Sequence, residues 1–143
     1  VIDSSIVLKW YLRDDEDDSE KALALLDDFI HGKLDLFAPD LIYHEVLNGL
    51  IVAQRRGRIE LQQVENAIEG FVELDISLFN TRAHYKKILY FAETYKRSAY
   101  DAAYLILAED KKVQYLTADL KLYNAVKDKI KWVNLIDYYK KVH

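Results

Sequence analysis

The strongest constraint on this chain is a rhythm. Apolar stretches of a few residues alternate with amphipathic stretches long enough for several helical turns. Short apolar runs between polar residues read as buried strands, and apolar positions recurring at three and four residues read as helices. Val1-Ile2 reads as a strand entered after its start, with leading residues missing, and Asp3 follows at once. Residues 5–12 predict a short helix. A second helix is predicted over 19–31, with Ala22, Leu25, Leu26, Phe29 and Ile30 on one face and Ser19 as N-cap. Asp35–Ala38 predicts a strand closed by Pro39-Asp40, and 41–56 a long helix that stops at Gly57. Helices are also predicted over 60–72, over 81–97 behind a capping Asn80, and over 99–109, the last almost wholly apolar. Val113–Leu116 predicts a strand, 119–128 a helix, Trp132-Val133 a last strand and 135–141 a terminal helix.

Very short strands alternating with helices imply an α/β fold with a parallel sheet covered on both faces. The length of 143 residues suits a single domain, 1–143. In such sheets, ligands bind beyond the carboxyl ends of the strands. Polar residues just after strands are therefore where function is to be sought.

Composition removes several classes. The chain has no Cys, so it holds no disulfide scaffold, thiolate zinc site or cysteine nucleophile. No apolar run approaches the ~20 residues of a membrane span, and no signal peptide is visible. These features set the expectation of a cytoplasmic protein without a membrane partner. The net charge of −4 is local, because residues 13–20 (RDDEDDSE) hold six of the 24 acids and one of the 20 bases. The remainder carries 18 acids against 19 bases. No strongly basic coat for nucleic acid is present, though contact with a short stretch is not excluded.

Four carboxylates stand in unusual surroundings. Asp3 directly follows the first strand, and Asp119 follows the strand VQYL-Thr117-Ala118. Glu45 lies inside an apolar helical stripe with Leu41, Ile42, Gly49 and Val52 as neighbours. Asp101 is the only charge between Ala99 and Ala108. Each has a plain structural reading. Asp3 and Asp119 suit helix N-caps, Ser98 and Asp101 match a capping box, and Glu45 suits a salt bridge. Taken together they suggest more, since one parallel sheet can bring all four to the same end. Four like charges that close repel unless a cation neutralises them. Oxygen-only ligands select a hard divalent ion, Mg²⁺ or Mn²⁺. Such an ion suits phosphodiester hydrolysis.

In this order the residues resemble the PIN-domain family, and are most similar to VapC-type toxins of prokaryotic toxin–antitoxin pairs. The likeness runs through Val1–Trp10, Pro39-Asp40-Leu41 to Glu45-Val46-Leu47-Asn48, Tyr100-Asp101-Ala102-Ala103-Tyr104, and Leu116-Thr117-Ala118-Asp119. The resemblance implies a three-layer sandwich with a short parallel sheet of order 3-2-1-4-5 between helices. It implies a metal-dependent endoribonuclease that uses one or two Mg²⁺ or Mn²⁺ ions and leaves 5′-phosphate and 3′-hydroxyl ends. The family's acidic positions fall on Asp3, Glu45, Asp101 and Asp119, as catalytic and metal-holding residues, with Glu45 placed to orient the second ion or the attacking water. Its small hydroxyl positions fall on Ser5 and Thr117, as donors behind the carboxylates. The expected partners are RNA, an antitoxin chain and a second copy in a homodimer.

For RNA contact, the candidates are Lys9, the cluster Arg55-Arg56-Arg58, and Lys96-Arg97, although basic residues also favour helix C-termini without binding anything. The acidic run is expected at a rim. Tyr85, Ile88, Leu89, Phe91, Ala92 and Tyr95 give the helix over 81–97 more apolar surface than one core-facing side needs. Two other readings compete. A catalytically silent RNA- or partner-binding module would share the fold. A phosphoacceptor switch would need a paired acid after the first strand and a Lys after the last, where this chain has one acid and Asn134.

Overall fold

The computed structural model describes residues 1–12 and 17–143. Residues 13–16, half of the acidic run, thus lie outside the described residues. Among the described residues the chain forms seven α-helices and four three-residue strands. In order these are α1 (Ser4–Tyr11), α2 (Asp17–Ile30), β1 (Phe37–Pro39), α3 (Ile42–Arg55), α4 (Leu61–Glu73), β2 (Ser77–Phe79), α5 (Tyr85–Tyr95), α6 (Ala99–Lys111), β3 (Tyr115–Thr117), α7 (Leu120–Val126) and β4 (Val133–Leu135). Single 3-10 turns cover Arg82–His84 and Ile136–Tyr138.

All strand pairing is parallel, but the expected continuous sheet is not formed. The strands fall into two pairs, β1 with β2 (Phe37 opposite Ser77) and β3 with β4 (Tyr115 opposite Val133). Val1 and Ile2 lie between the pairs. The Ile2 amide donates to Phe37 O at 3.0 Å, and the Leu116 amide donates to Val1 O at 2.9 Å. Only Ile2 makes a bridge there, to Leu116, so two residues of ladder are too few to fuse the pairs.

The helices pack by the faces their apolar spacing dictates. Ile6, Val7 and Trp10 of α1 are buried, as are Ile42, Val46, Leu50 and Ala53 of α3. Helix α6 buries seven consecutive residues, Ala102–Ala108, as its nearly uniform apolar sequence requires. In contrast, α5 buries none of its residues fully, and Tyr85, Leu89 and Tyr90 are each more than 60% exposed.

Several sequence expectations need correction. Strand β2 was not anticipated, because Ser77-Leu78-Phe79 is too short to show a period. The predicted helix over 81–97 divides into a 3-10 turn and α5, which ends where Lys96 takes a left-handed conformation (φ 54°). Asn80 is not the N-cap, which is Thr81, although Asn80 Oδ1 accepts from the Arg82 amide at 2.8 Å at the start of the turn. The predicted terminal helix over 135–141 is the end of β4 plus the second 3-10 turn. Ser19 is no N-cap, since α2 already begins at Asp17. The other predicted strands shift by one or two residues toward the C-terminus.

One close approach sets the spacing of α1 and α3. A Cβ on Gly49 would meet Leu8 Cδ1 at 2.5 Å. Gly49→Ala should therefore destabilise by about 1 kcal/mol, because overpacking outweighs the gain in helix propensity. In a Leu8→Ala background the same change should stabilise by roughly 0.5–1 kcal/mol, the helix propensity alone. Urea unfolding of the four proteins reads both signs, and an unchanged sign across the two backgrounds would refute the contact.

Candidate active site

The four carboxylates sit at the N-terminal ends of helices, three of them just after a strand segment and Asp101 on α6, which follows α5. Asp3 is the N-cap of α1 and Asp119 the N-cap of α7. Glu45 and Asp101 lie in the first turns of α3 and α6. Helix N-termini carry partial positive charge and unpaired N–H groups, so each position favours a carboxylate locally.

Asp3 is the most enclosed, at 7% exposure. Its Oδ1 accepts from the Ser5 amide at 3.0 Å and from Ser5 Oγ at 2.5 Å. Its Oδ2 accepts from the Tyr115 and Thr117 hydroxyls, both at 2.6 Å. Burial raises the Asp3 carboxyl above its ordinary range, and these bonds pull it back down. The two small hydroxyls extend the network. Ser5 Oγ accepts from the Ala118 amide at 2.9 Å, and Thr117 Oγ1 accepts from the Asp119 amide at 3.0 Å. Ser5 and Thr117 thus stand behind the carboxylates, joining α1 to the end of β3.

The other three acids each keep one oxygen less committed. Glu45 Oε1 accepts from the Tyr104 hydroxyl at 2.7 Å. Burial raises the Glu45 carboxyl, the Tyr104 bond lowers it, and the charges of Asp3 and Asp101 raise it further. Asp101 Oδ2 accepts from Arg97 Nε at 3.1 Å and pairs with Nη2 at 2.9 Å. Burial raises this carboxyl too, Arg97 lowers it, and the charge of Asp119 raises it. Asp119 Oδ1 accepts from the Leu122 amide at 3.0 Å.

The structural readings of these acids are therefore partly correct. Asp3 and Asp119 cap helices with their side chains, and Ser98 Oγ caps α6 by accepting from the Asp101 amide at 3.0 Å. The Asp101 carboxylate, however, turns to Arg97. Contacts link three of the acids: Tyr104, bonded to Glu45, stacks on Tyr115, bonded to Asp3, and Thr117 bonds both Asp3 and the Asp119 amide. The acids do not close into a finished cage. Among the described residues no three His, Asp or Glu side chains stand close enough to hold an ion as they are. The donor set is still oxygen-only, crowded with like charge and partly desolvated, which fits a hard divalent cation.

The basic candidates fare differently. Arg97 reaches the site. Lys9 pairs with Asp18 at 2.8 Å, and Lys96 stands 3.9 Å from Glu93 on an exposed surface. Arg55 lies ten residues along α3 from Glu45, about 15 Å down the axis at ~1.5 Å per residue. The sequence reading missed Tyr104 and Tyr115, which stack on each other with centroids 5.8 Å apart while holding Glu45 and Asp3. Their signal was slight, because tyrosines in apolar segments read as core. The Arg97–Asp101 pair had a clearer one, the four-residue spacing of helical neighbours.

With this geometry in view, comparison with known proteins defines the class. A family profile described as PIN domain matches residues 1–128, and the chain belongs to that family of nucleases, whose members are typically ribonucleases and generally use divalent metals. The fold is similar to the crystal structure of PAE2754 from Pyrobaculum aerophilum, with a TM-score of 0.67 and 20% identity over 95% of this chain and 89% of that one. No curated protein matches the sequence. No helix among the described residues is long and apolar enough to cross a membrane.

The electrostatics fix the sign of a pH effect. The folded Glu45 and Asp101 carboxyls are raised above their unfolded values. Their contribution to stability is thus fully present below the unfolded range of about pH 4 and is lost as the pH rises through the raised folded values. In EDTA at pH 7, Glu45→Gln should raise the melting temperature by about 2–4 °C, the effect of ~1 kcal/mol in a chain of this size. Near pH 4 the difference should vanish. Thermal melts at the two pH values test it, and a lower melting temperature at pH 7 would contradict the like-charge crowding.

Proposed function

We propose that the chain is a Mg²⁺- or Mn²⁺-dependent endoribonuclease, acting as the VapC-like toxin of a toxin–antitoxin pair. One observation supports the nuclease reading: Tyr104, which holds Glu45, stacks on Tyr115, which holds Asp3, while Thr117 bonds both the Asp3 carboxylate and the Asp119 amide, and Asp101 lies one turn before Tyr104 on α6. Asp3, Asp101, Asp119 and Glu45 would hold one or two ions. When bound, such an ion supplies Lewis acidity toward a phosphate oxygen and lowers the pKa of a coordinated water. The chain's own residues do the rest. Tyr115, Thr117 and Ser5 fix the orientation of Asp3, and Tyr104 fixes that of Glu45. Arg97, pivoting away from Asp101, is placed to meet a phosphate of the RNA, because a guanidinium binds phosphate and carboxylate in the same forked way.

The toxin role rests on the likeness of residues 1–10, 39–48, 100–104 and 116–119 to VapC-type sequences. It brings an antitoxin chain as the expected partner and the cytoplasm as the site of action. Cleavage should fall more than ~100-fold in Asp101→Asn, beyond the ~10–100-fold expected from losing an outer hydroxyl in Thr117→Val. Gel assays of single-stranded RNA in Mn²⁺ measure this, and induced expression should arrest growth for the wild type alone. Undiminished cleavage by Asp101→Asn would sink the assignment.

A second reading, the silent RNA- or partner-binding module, is favoured by Arg97, which already gives Asp101 a cation. Millimolar Mn²⁺ decides between them. Binding to the folded state raises stability by RT ln(1 + [L]/Kd), ~1.4 kcal/mol at ten times Kd, and no shift in melting temperature would select the silent module.

A second copy of the chain is the proposed cover for the exposed face of α5, where Tyr85 and Leu89 sit one turn apart. Leu89→Glu should convert a dimer to a monomer in light scattering after gel filtration. A wild type that is already monomeric at ~100 μM, well above the micromolar affinities of specific interfaces, would remove the idea.

A further inference from the structure

Glu45 also forms part of a cavity on the same side of the molecule. The cavity, of about 360 Å³, lies between α3 and the start of α6 and is lined by Leu41, His44, Glu45, Asn48 and Tyr100. The four residues before Tyr100 stand at i, i+3, i+4 and i+7, one stripe along α3 and its N-cap. Tyr100 immediately precedes Asp101, and the residue is 62% exposed although α6 buries the seven residues from Ala102 onward. His44 and Asn48 are exposed as well. Among the described residues, none of these three side chains makes a hydrogen bond, ion pair or ring contact. The cavity therefore holds an open aromatic face and two polar side chains, each able to donate and accept.

We infer that this cavity receives one unstacked nucleobase of single-stranded RNA, next to the cleaved phosphate, with Tyr100 stacked on the base and His44 and Asn48 bonded to its edge. The inference rests on the nuclease reading above and adds a base-recognition site to it. Size permits this, since ligand cavities begin near ~300 Å³. Charge favours a base over a second phosphate, because the Glu45 carboxylate in the wall repels an anion and leaves an uncharged ring unaffected. The lining joins the Tyr100 ring and Leu41 to the polar His44 and Asn48, a mixed surface that suits the flat face and polar edge of a base. Adjacency follows from Glu45, which belongs both to the wall and to the acidic site. Sequence-selective RNA recognition elsewhere uses the same elements: unstacked bases on aromatic faces, bonded along their edges.

The test uses the full chain in Mn²⁺ and short single-stranded RNAs in which each nucleotide flanking the cut is made abasic in turn. For the wild type, one abasic position should lower kcat/KM about tenfold, the usual scale of a single base–aromatic stack. Tyr100→Ala should lose about the same factor on intact RNA and nothing more on that abasic RNA, the signature of coupled groups. Tyr100→Phe should keep the wild-type rate, and Asn48→Ala should relax the base preference at that position alone. A 2-aminopurine at the same position, titrated in Ca²⁺, should lose emission on binding the wild type and keep it with Tyr100→Ala. If the wild type cleaves RNA and the Tyr100 and abasic losses simply add, or the quenching persists in Tyr100→Ala, the base site is refuted while the nuclease stands. If the wild type cleaves no RNA, both readings fall.

Discussion

The arrangement depends on one buried carboxylate. Asp3 has its two oxygens filled by donors from α1 and from β3, with a backbone amide and three hydroxyls in reach. A carboxylate buried without partners costs several kcal/mol, whereas hydrogen bonds to a charged group return about 1.5–3 kcal/mol each. The bonds therefore decide that Asp3 can be there at all. They also fix topology, because Val1 and Ile2 lie between the two strand pairs and Asp3 is the residue at which that segment turns into α1. The candidate site and the centre of the fold are built from the same contacts.

The remaining acids are tolerated for different reasons, and magnitudes separate them. A helix N-terminus returns about 0.3–1 kcal/mol to a nearby carboxylate. Two like charges a few ångströms apart at an effective dielectric near 20 repel by up to ~4 kcal/mol. Helix ends alone thus offset only part of the crowding. Arg97 offsets more at Asp101, but its reach ends there, and Glu45 has only a neutral phenol. The charge left over is what makes a divalent cation the natural partner of this donor set.

Much of this was legible in the sequence, for reasons that can be named. Asp3 and Asp119 stood out because each follows a short apolar run, the one place where a parallel sheet exposes side chains at its carboxyl edge. Glu45 and Asp101 stood out because a charge in an apolar helical stripe needs an explanation. Three residues of β2 carry no periodicity, so Ser77–Phe79 was invisible. The break between the two helices was legible, but the end of the first was placed two residues late because neither Gly nor Pro marks the left-handed Lys96. The interruption of the sheet beside Ile2 depends on how far two neighbouring pairs extend, which no local pattern encodes. Tyr104 and Tyr115 are buried, as tyrosines in apolar segments usually are, but the site contacts of their hydroxyls cannot be told from ordinary core phenols by spacing.

Those phenols divide the site into a fixed side and an adjustable one. Burial and the adjacent carboxylates raise both phenols well above their ordinary range, so both remain protonated donors at any pH the fold meets. Asp3 and Glu45 are therefore held in one orientation by neutral groups that neither leave nor titrate. Asp101 is held instead by a partly exposed guanidinium, with 22% of the Arg97 side chain and 26% of the Asp101 side chain open to solvent. Exchanging that partner costs little, because solvent stabilises the released guanidinium and a bound cation would replace its charge. On the proposed nuclease reading, an ion and an RNA phosphate would enter on the Asp101 side, next to the exposed Tyr100. A rigid pair of carboxylates facing a replaceable cation satisfies two demands at once, a stable fold before the ligands arrive and unspent charge with which to bind them.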